Sequence, residues 1–136
     1  MVVFLYTIGE GGDDMFIYQS FDHIQLAGPK DCEQEARSFY RGILGLVEIP
    51  KPEALRKNGG VWFQAGKIQV HIGIEEPFTP AKKAHPAIIV DDITAMKSHL
   101  GEHSVEYAVD TKIPWVDRIY ISDPFGNRLE FLEHVK

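Results

Sequence analysis

Four residues that can ligate a metal ion occupy related positions in the two halves of the chain. His23 and His71 are 48 residues apart, and His85 and Glu130 are 45 residues apart. Three imidazoles and one carboxylate suit a divalent ion such as Zn²⁺, Ni²⁺, Fe²⁺ or Mn²⁺. Such an ion can polarise a substrate oxygen and stabilise the charge that develops on it. The spacing therefore indicates a metal site that draws one pair of ligands from each half.

Alternation along the predicted strands places these four side chains on polar faces. Every even-numbered position from 68 to 74 carries Ile or Val, so His71 lies on the opposite face. Glu130 is flanked by two apolar side chains, and His23 alternates with apolar positions 24 and 26. If the aliphatic faces pack under helices, all four candidate ligands point away from them.

The first half of the chain reads as one strand, one helix and three more strands. The predicted elements are a strand at 21–27, a helix at 31–44 and strands at 46–49, 60–65 and 67–75. Asp31 is the expected N-cap of the helix, and Gly45 follows it as a stop. Residues 77–84 carry two prolines, two lysines and no periodic pattern, which predicts a linker.

The second half repeats this plan after the linker. Its predicted elements are a strand at 85–90, a helix at 93–103 and strands at 106–109, 116–122 and 128–134. We therefore expect an α+β fold of two tandem βαβββ modules, 21–76 and 85–134, within a single domain over 21–134. The strands are expected to form a cupped mixed sheet with the helices on its outside, because one four-stranded sheet with one helix leaves a face bare.

Residues 1–20 form an N-terminal extension with two open interpretations. The sequence at 10–15, Glu-Gly-Gly-Asp-Asp-Met, can be back-translated into a purine-rich ribosome-binding sequence before a start codon, so residues 1–14 could be a misassigned leader. The alternative is a genuine extra strand or a dimer arm. The apolar run at 1–8 is far shorter than the roughly 20 residues of a membrane span and lacks the features of a signal peptide.

Composition narrows the possible partners and the compartment. The formal net charge of −6 argues against nucleic acid, whose phosphates are neutralised by Lys and Arg. Cys32 is the single cysteine, so no intrachain disulfide can form. The chain is expected to be a cytoplasmic protein that binds a small molecule, with no nucleic acid and no membrane among its partners.

Four motifs together resemble those of the vicinal oxygen chelate superfamily, which includes glyoxalase I, extradiol dioxygenases and bleomycin resistance proteins. They are FDHIQLA around His23, QVHIGIE around His71, HPAIIVDD from His85, and DPFGNRLEFLE around Glu130. The resemblance covers about residues 21–134. It implies that these four residues bind a divalent metal ion, and that two such chains form a homodimer.

His71 departs from the best-known members of that superfamily. The resemblance places Glu there in glyoxalase I and Gln in the related epimerases, whereas dioxygenases and thiol transferases use only the positions of His23, His85 and Glu130. His71 is therefore either a fourth ligand or a base beside the metal. Glu130 and His71 are the catalytic candidates, because each can move between ligation and proton transfer.

Further polar and aromatic residues are candidates for contact with a substrate. Trp62, Gln64, Arg118, Tyr120 and Trp115 are expected to line the cup, unless the tryptophans are core and Arg118 pairs with a surface acid. His99, His103 and His134 are interpreted as surface residues and Cys32 as structural.

These observations favour a metal-dependent lyase, isomerase or dioxygenase acting on a small oxygenated substrate that chelates the metal. The alternative is a metal-free protein of the bleomycin-resistance type that binds a drug or another ligand without chemistry. Sequence patterns do not choose between them, because one fold supports many reactions.

Overall fold

The computed structural model describes residues 15–135. Its strands are β1 (Ile24–Gly28), β2 (Val47–Ile49), β3 (Val61–Ala65), β4 (Ile68–Ile74), β5 (Ala87–Ile89), β6 (Ala108–Asp110), β7 (Val116–Ser122) and β8 (Arg128–His134). Its helices are α1 (Glu33–Ala36), which continues as a π-helical turn over Arg37–Arg41, then α2 (Glu53–Arg56) and α3 (Ile93–Glu102). The predicted α+β fold with two tandem βαβββ modules is confirmed.

Each module forms its own four-stranded mixed sheet. The first sheet has the order β1-β4-β3-β2 and the second has the order β5-β8-β7-β6. In both sheets the first and last strands of the module pair in parallel, and the other pairs are antiparallel. The strands thus form two sheets of four rather than one continuous sheet, with β1 and β5 at sheet edges.

The apolar faces of both sheets contribute to one shared core. Val70 and Ile72 on β4 and Leu129 and Phe131 on β8 belong to the same cluster of buried side chains. Helix α3 contacts the first module where the His99 ring nitrogen Nε2 donates to the carbonyl of Ile43, just after the π-helical turn, at 2.6 Å. The alternation that predicted the polar faces is therefore correct, since His71 and Glu130 lie opposite these core residues.

The turn between β7 and β8 fastens the second module to the first. Both oxygens of the buried Asp123 carboxylate accept hydrogen bonds, including one from the Tyr40 hydroxyl at 2.7 Å. The Asn127 amide donates to Asp123 and, at 2.7 Å, to the carbonyl of Ala27 at the end of β1. Burial and the neighbouring carboxylate raise the pKa of Tyr40, so its hydroxyl stays protonated and donates.

Several predicted boundaries are wrong for local reasons. Asp31 is not the N-cap of α1, because it has a left-handed backbone with φ of 64° and the helix begins after Cys32. The regular helical segment spans residues 33–41 rather than 31–44, since its last part widens into a π-helical turn. The loop after Pro52 contains the short helix α2. This helix was not predicted, because the prolines before it are typical of loops.

The first strand of each module begins later than the sequence pattern predicts. β1 begins at Ile24, so His23 precedes the strand, and His85 likewise lies two residues before β5. The proposed leader, residues 1–14, lies outside the described residues. Among the helices of residues 15–135, none has the length and apolar character needed to cross a bilayer.

Candidate functional site

On the first sheet, His71 is the middle ring of a three-ring stack. Its ring centroid lies 3.8 Å from that of Trp62 on β3, with planes 4° apart. His23 stacks on the other side at 4.1 Å, with planes 13° apart. The register explains the stack, because Trp62 is paired directly with His71 and residue 25 on β1 is its other neighbour. His71 is consequently only 4% exposed.

Hydrogen bonds assign a proton to one ring nitrogen of each histidine in this stack. His23 Nδ1 donates to Asp22 Oδ1 at 2.8 Å, and His71 Nε2 donates to Gln69 Oε1 at 3.1 Å. In the neutral form of each ring, the other nitrogen keeps its lone pair. Burial, and to a lesser degree the neighbouring His23, lower the pKa of His71, which favours its neutral form.

On the second sheet, His85 and Glu130 form the other candidate pair. His85 Nδ1 donates to the carbonyl of Lys83 at 2.8 Å, while His85 Nε2 lies 3.0 Å from Glu130 Oε1. A neutral ring with its proton on Nδ1 would direct a lone pair at a carboxylate oxygen. This approach is favourable only when a proton or a cation lies between the two atoms.

A chain of charged groups surrounds the Glu130 carboxylate, which is 6% exposed. Arg118 lies 3.6 Å from Glu130 Oε2 and donates to Asp110 Oδ2 at 3.0 Å. Burial and the Glu130 carboxylate raise the pKa of Tyr120, which is paired with Glu130 across β7 and β8. Arg118 and Tyr120, two of the residues expected to line the cup, therefore lie on the same face as Glu130.

The two pairs remain separate within the described part of one chain. Between residues 15 and 135, no group of three or more His, Cys, Asp or Glu side chains is placed to hold one metal ion. Imidazole lone pairs lie in the ring plane, so the stacked rings of His23 and His71 cannot both point at one ion in this conformation. Ligation by all four residues therefore stays a prediction.

The donor chemistry of each pair nevertheless fits a divalent cation. Metal-bound histidines commonly donate their other ring N–H to a carboxylate or a backbone carbonyl. His23 does so to Asp22 and His85 does so to Lys83. The remaining nitrogens, together with the Glu130 carboxylate, are ligands that Zn²⁺, Ni²⁺, Fe²⁺ and Mn²⁺ accept.

The other candidate residues are distributed unevenly. Trp62 is in the stack, whereas the Gln64 amide donates to the carbonyl of Gly66 at 3.3 Å. Trp115 is 63% exposed, so it is not a core residue. Cys32 is buried, and burial raises the pKa of its thiol, in keeping with its structural interpretation. The three remaining histidines, His99, His103 and His134, lie on exposed positions.

A cleft of about 500 Å³ lies between the two modules. Its lining includes Gln25 of β1, Phe78 of the linker, and His85 and Arg128 of the second module. Arg128 was missed in the sequence, although it lies two positions before Glu130 and therefore on the same face of β8. Its guanidinium carbon lies 4.3 Å from the Tyr120 ring centroid, in cation–π contact.

Two four-stranded mixed sheets from repeated modules, with one shared core, define a small α+β protein. The model of the Glyoxalase/Bleomycin resistance protein/Dioxygenase superfamily matches residues 20–131. The chain is also 50% identical to a protein from Bacillus anthracis assigned to the glyoxalase family, covering 88% of this chain and 98% of that one with a TM-score of 0.85. The chain belongs to the glyoxalase/bleomycin resistance protein/dioxygenase superfamily.

More distant solved structures share the fold. Lactoylglutathione lyase from Agrobacterium tumefaciens is 20% identical, with 85% of this chain and 94% of that chain covered and a TM-score of 0.67. The antibiotic binding protein TnmS3 from Streptomyces sp. CB03234 is 19% identical, with coverage of 86% and 99% and a TM-score of 0.65. The search of curated proteins gave no significant match. At these identities the likeness shows the fold alone.

Proposed function

We propose that the protein is a metal-dependent lyase, isomerase or dioxygenase that acts on a small oxygenated substrate. The observation that carries the proposal is the approach of His85 Nε2 to Glu130 Oε1 at 3.0 Å while His85 Nδ1 donates to a backbone carbonyl. This arrangement presents two ligand atoms to one point. When bound there, a divalent ion would polarise a substrate oxygen.

The proposed ligands are His23, His85 and Glu130, with His71 as the base beside them. The stacking of His71 between Trp62 and His23 supports this division, because it orients the ring without aiming its lone pair where His23 aims its own. The lowered pKa of His71 keeps it unprotonated, and the hydrogen bond to Gln69 leaves its Nδ1 able to accept a proton. Arg118 orients Glu130 through its second oxygen.

Metal analysis of protein purified without added metal tests the proposal. We expect close to one divalent ion per chain, lost in His85→Ala and Glu130→Gln and retained in the control His103→Ala, whose exposed side chain follows the last residue of α3. Absence of metal in the unmodified protein, together with no rise in melting temperature on adding Zn²⁺, Ni²⁺, Mn²⁺ or anaerobic Fe²⁺, would reject it.

A homodimer is proposed to join the two pairs into one site. The separation of the pairs in one chain and the two edge strands, β1 and β5, support this. Mixing unfolded His23→Ala and Glu130→Gln chains and refolding them together provides the test. A site shared between chains leaves one intact site in each mixed dimer, so metal binding should return, whereas a site within one chain would leave none.

A metal-free ligand-binding protein is the second candidate. The Arg118 guanidinium at 3.6 Å from Glu130 favours it, because this cation balances the carboxylate without a metal. That function predicts ligand binding that is unchanged after treatment with a chelator.

Oxygen uptake with candidate catechols would separate a dioxygenase from a lyase or an isomerase once metal binding is established.

A further inference from the structure

Arg128 and Arg118 occupy the same face of the second sheet but differ in their electrostatic partners. Arg118 pairs with Asp110 and Glu130, so its charge is balanced by two carboxylates. Arg128 makes no ion pair with any carboxylate in the part of the chain that the structure describes, residues 15–135. Its guanidinium instead lies over the Tyr120 ring. Of these two arginines, Arg128 is thus the one whose charge is left for a ligand.

The position of Arg128 gives this available charge a place to act. Arg128 lines the cleft between the modules, together with His85, whose ring makes an edge contact with the same Tyr120 ring at 5.5 Å between centroids. A cleft of about 500 Å³ lies within the usual range for small-molecule sites. Glu75 is the single carboxylate among its described lining residues, so the arginine is not surrounded by acids.

The backbone beneath Arg128 is held firmly. Arg128 follows Asn127, whose amide is bonded to Asp123 and to the carbonyl of Ala27 in the other module. Arg128 is also paired with Ser122 in the ladder between β7 and β8. A planar guanidinium on a strand held in this way, in contact with an aromatic ring, is suited to two parallel hydrogen bonds with a carboxylate.

We infer that Arg128 binds the carboxylate of a small organic anion in this cleft. The inference rests on the proposed function only in placing that anion beside the His85–Glu130 pair. It does not require a metal ion, because the attraction comes from the guanidinium. The predicted ligand class is a small monocarboxylate, whose two oxygens match the guanidinium fork.

Benzoate and benzamide are suitable probes, because they have nearly the same shape and differ in charge. Chelator-treated protein should bind benzoate about tenfold or more tightly than benzamide, as one hydrogen-bonded charge pair provides. Arg128→Gln should remove that preference, Arg128→Lys should retain part of it, and Arg56→Gln, a surface control outside the cleft, should leave it unchanged. Calorimetry at low ionic strength measures each affinity, and circular dichroism confirms that the variants fold.

Three results would overturn the inference. They are equal benzoate affinity in Arg128→Gln and the unmodified protein, absence of a preference over benzamide, or phosphate binding at least as tight as benzoate. Zn²⁺ binding by Arg128→Gln is measured in parallel and should be unchanged. A protein that lacks metal but retains the Arg128-dependent benzoate preference would reject the proposed function and keep this inference.

Discussion

The polar faces of the two sheets hold their candidate ligands in different ways. On the first sheet, His71 is fixed by ring stacking between Trp62 and His23, and the pKa of His71 is lowered by burial. On the second sheet, the two oxygens of Glu130 lie close to the His85 ring and to the Arg118 guanidinium. The strand order is the same in both. A repeated backbone plan therefore positions two stacked imidazoles on one sheet and an imidazole beside a carboxylate on the other.

The two modules also differ in the hydrogen bond that connects the helix to the strands. In the first module, the Glu33 carboxylate on α1 accepts from the backbone N–H of Gly60 at 3.0 Å, just before β3. In the second module, the Glu133 carboxylate on β8 accepts from the N–H of Ile93 at the start of α3, at 2.9 Å. The accepting carboxylate is thus on the helix in the first module and on a strand in the second. Each hydrogen bond connects the helix of its module to the strands, but the residues that form it occupy different positions in the two modules.

The largest expected effect comes from Asp123, whose hydrogen bonds join the turn between β7 and β8 to Tyr40 in the first module. Asp123→Ala removes the acceptor for Tyr40, Asn127 and the backbone of its own turn. Because the carboxylate is buried, we expect the free energy of unfolding to fall by about 3 to 5 kcal/mol. Urea denaturation measures it, with Tyr40→Phe as the milder variant at about 1 to 2 kcal/mol. A loss below about 1 kcal/mol in the free energy of unfolding for Asp123→Ala would show that these hydrogen bonds do not stabilise the contact between the modules.

Variants of His71 separate stacking from hydrogen bonding on the first sheet. His71→Ala opens a gap between Trp62 and His23, and we expect the free energy of unfolding to fall by about 2 to 3 kcal/mol. His71→Phe keeps a ring in the stack, so its cost should stay below about 1.5 kcal/mol. Thermal and urea unfolding compare the two. Equal losses would mean that the hydrogen bond to Gln69, rather than stacking, holds this side chain.

The second sheet should respond to charge rather than to shape. Arg118→Met leaves Asp110 and Glu130 without their shared cation, and we expect the free energy of unfolding to fall by about 1 to 3 kcal/mol. Because the side chain is partly exposed, water limits the loss. Arg128→Met, on the same face without an ion pair, is the matched control and should cost less. Equal costs would remove the distinction between the two arginines.

The smallest effect concerns the pH dependence of the hydrogen bond between Glu33 and Gly60. The N–H of Gly60 lowers the pKa of Glu33 below its usual value of 4.5. A lowered carboxylate pKa gives stability that is present above the usual value and is lost as the pH falls through the folded pKa. Unfolding of Glu33→Gln and the unmodified protein should therefore differ at neutral pH and converge in acid. A constant difference across that range would contradict this.

Much of the fold was predictable because it depends on local patterns. The even-numbered aliphatic positions from 68 to 74 identified both β4 and its polar face, and the same alternation placed Glu130 opposite the core. Helix α3 was found almost to the residue, ending at Glu102 rather than at His103. Where prediction erred, the periodic pattern carried no signal, because Asp31 has a left-handed backbone and α2 is a single short turn.

The site itself divides along the same line. Residue type alone marked His23, His71, His85 and Glu130 as candidates, and strand period placed His71 and Glu130 on the face opposite the core. Tertiary structure decided that Trp62 and His23 enclose His71, that Arg118 is occupied by Asp110 and Glu130, and that Arg128 is available. Those facts depend on contacts between strands and between modules. Side-chain alternation fixes a face, whereas the partners on that face are fixed only when distant segments pack.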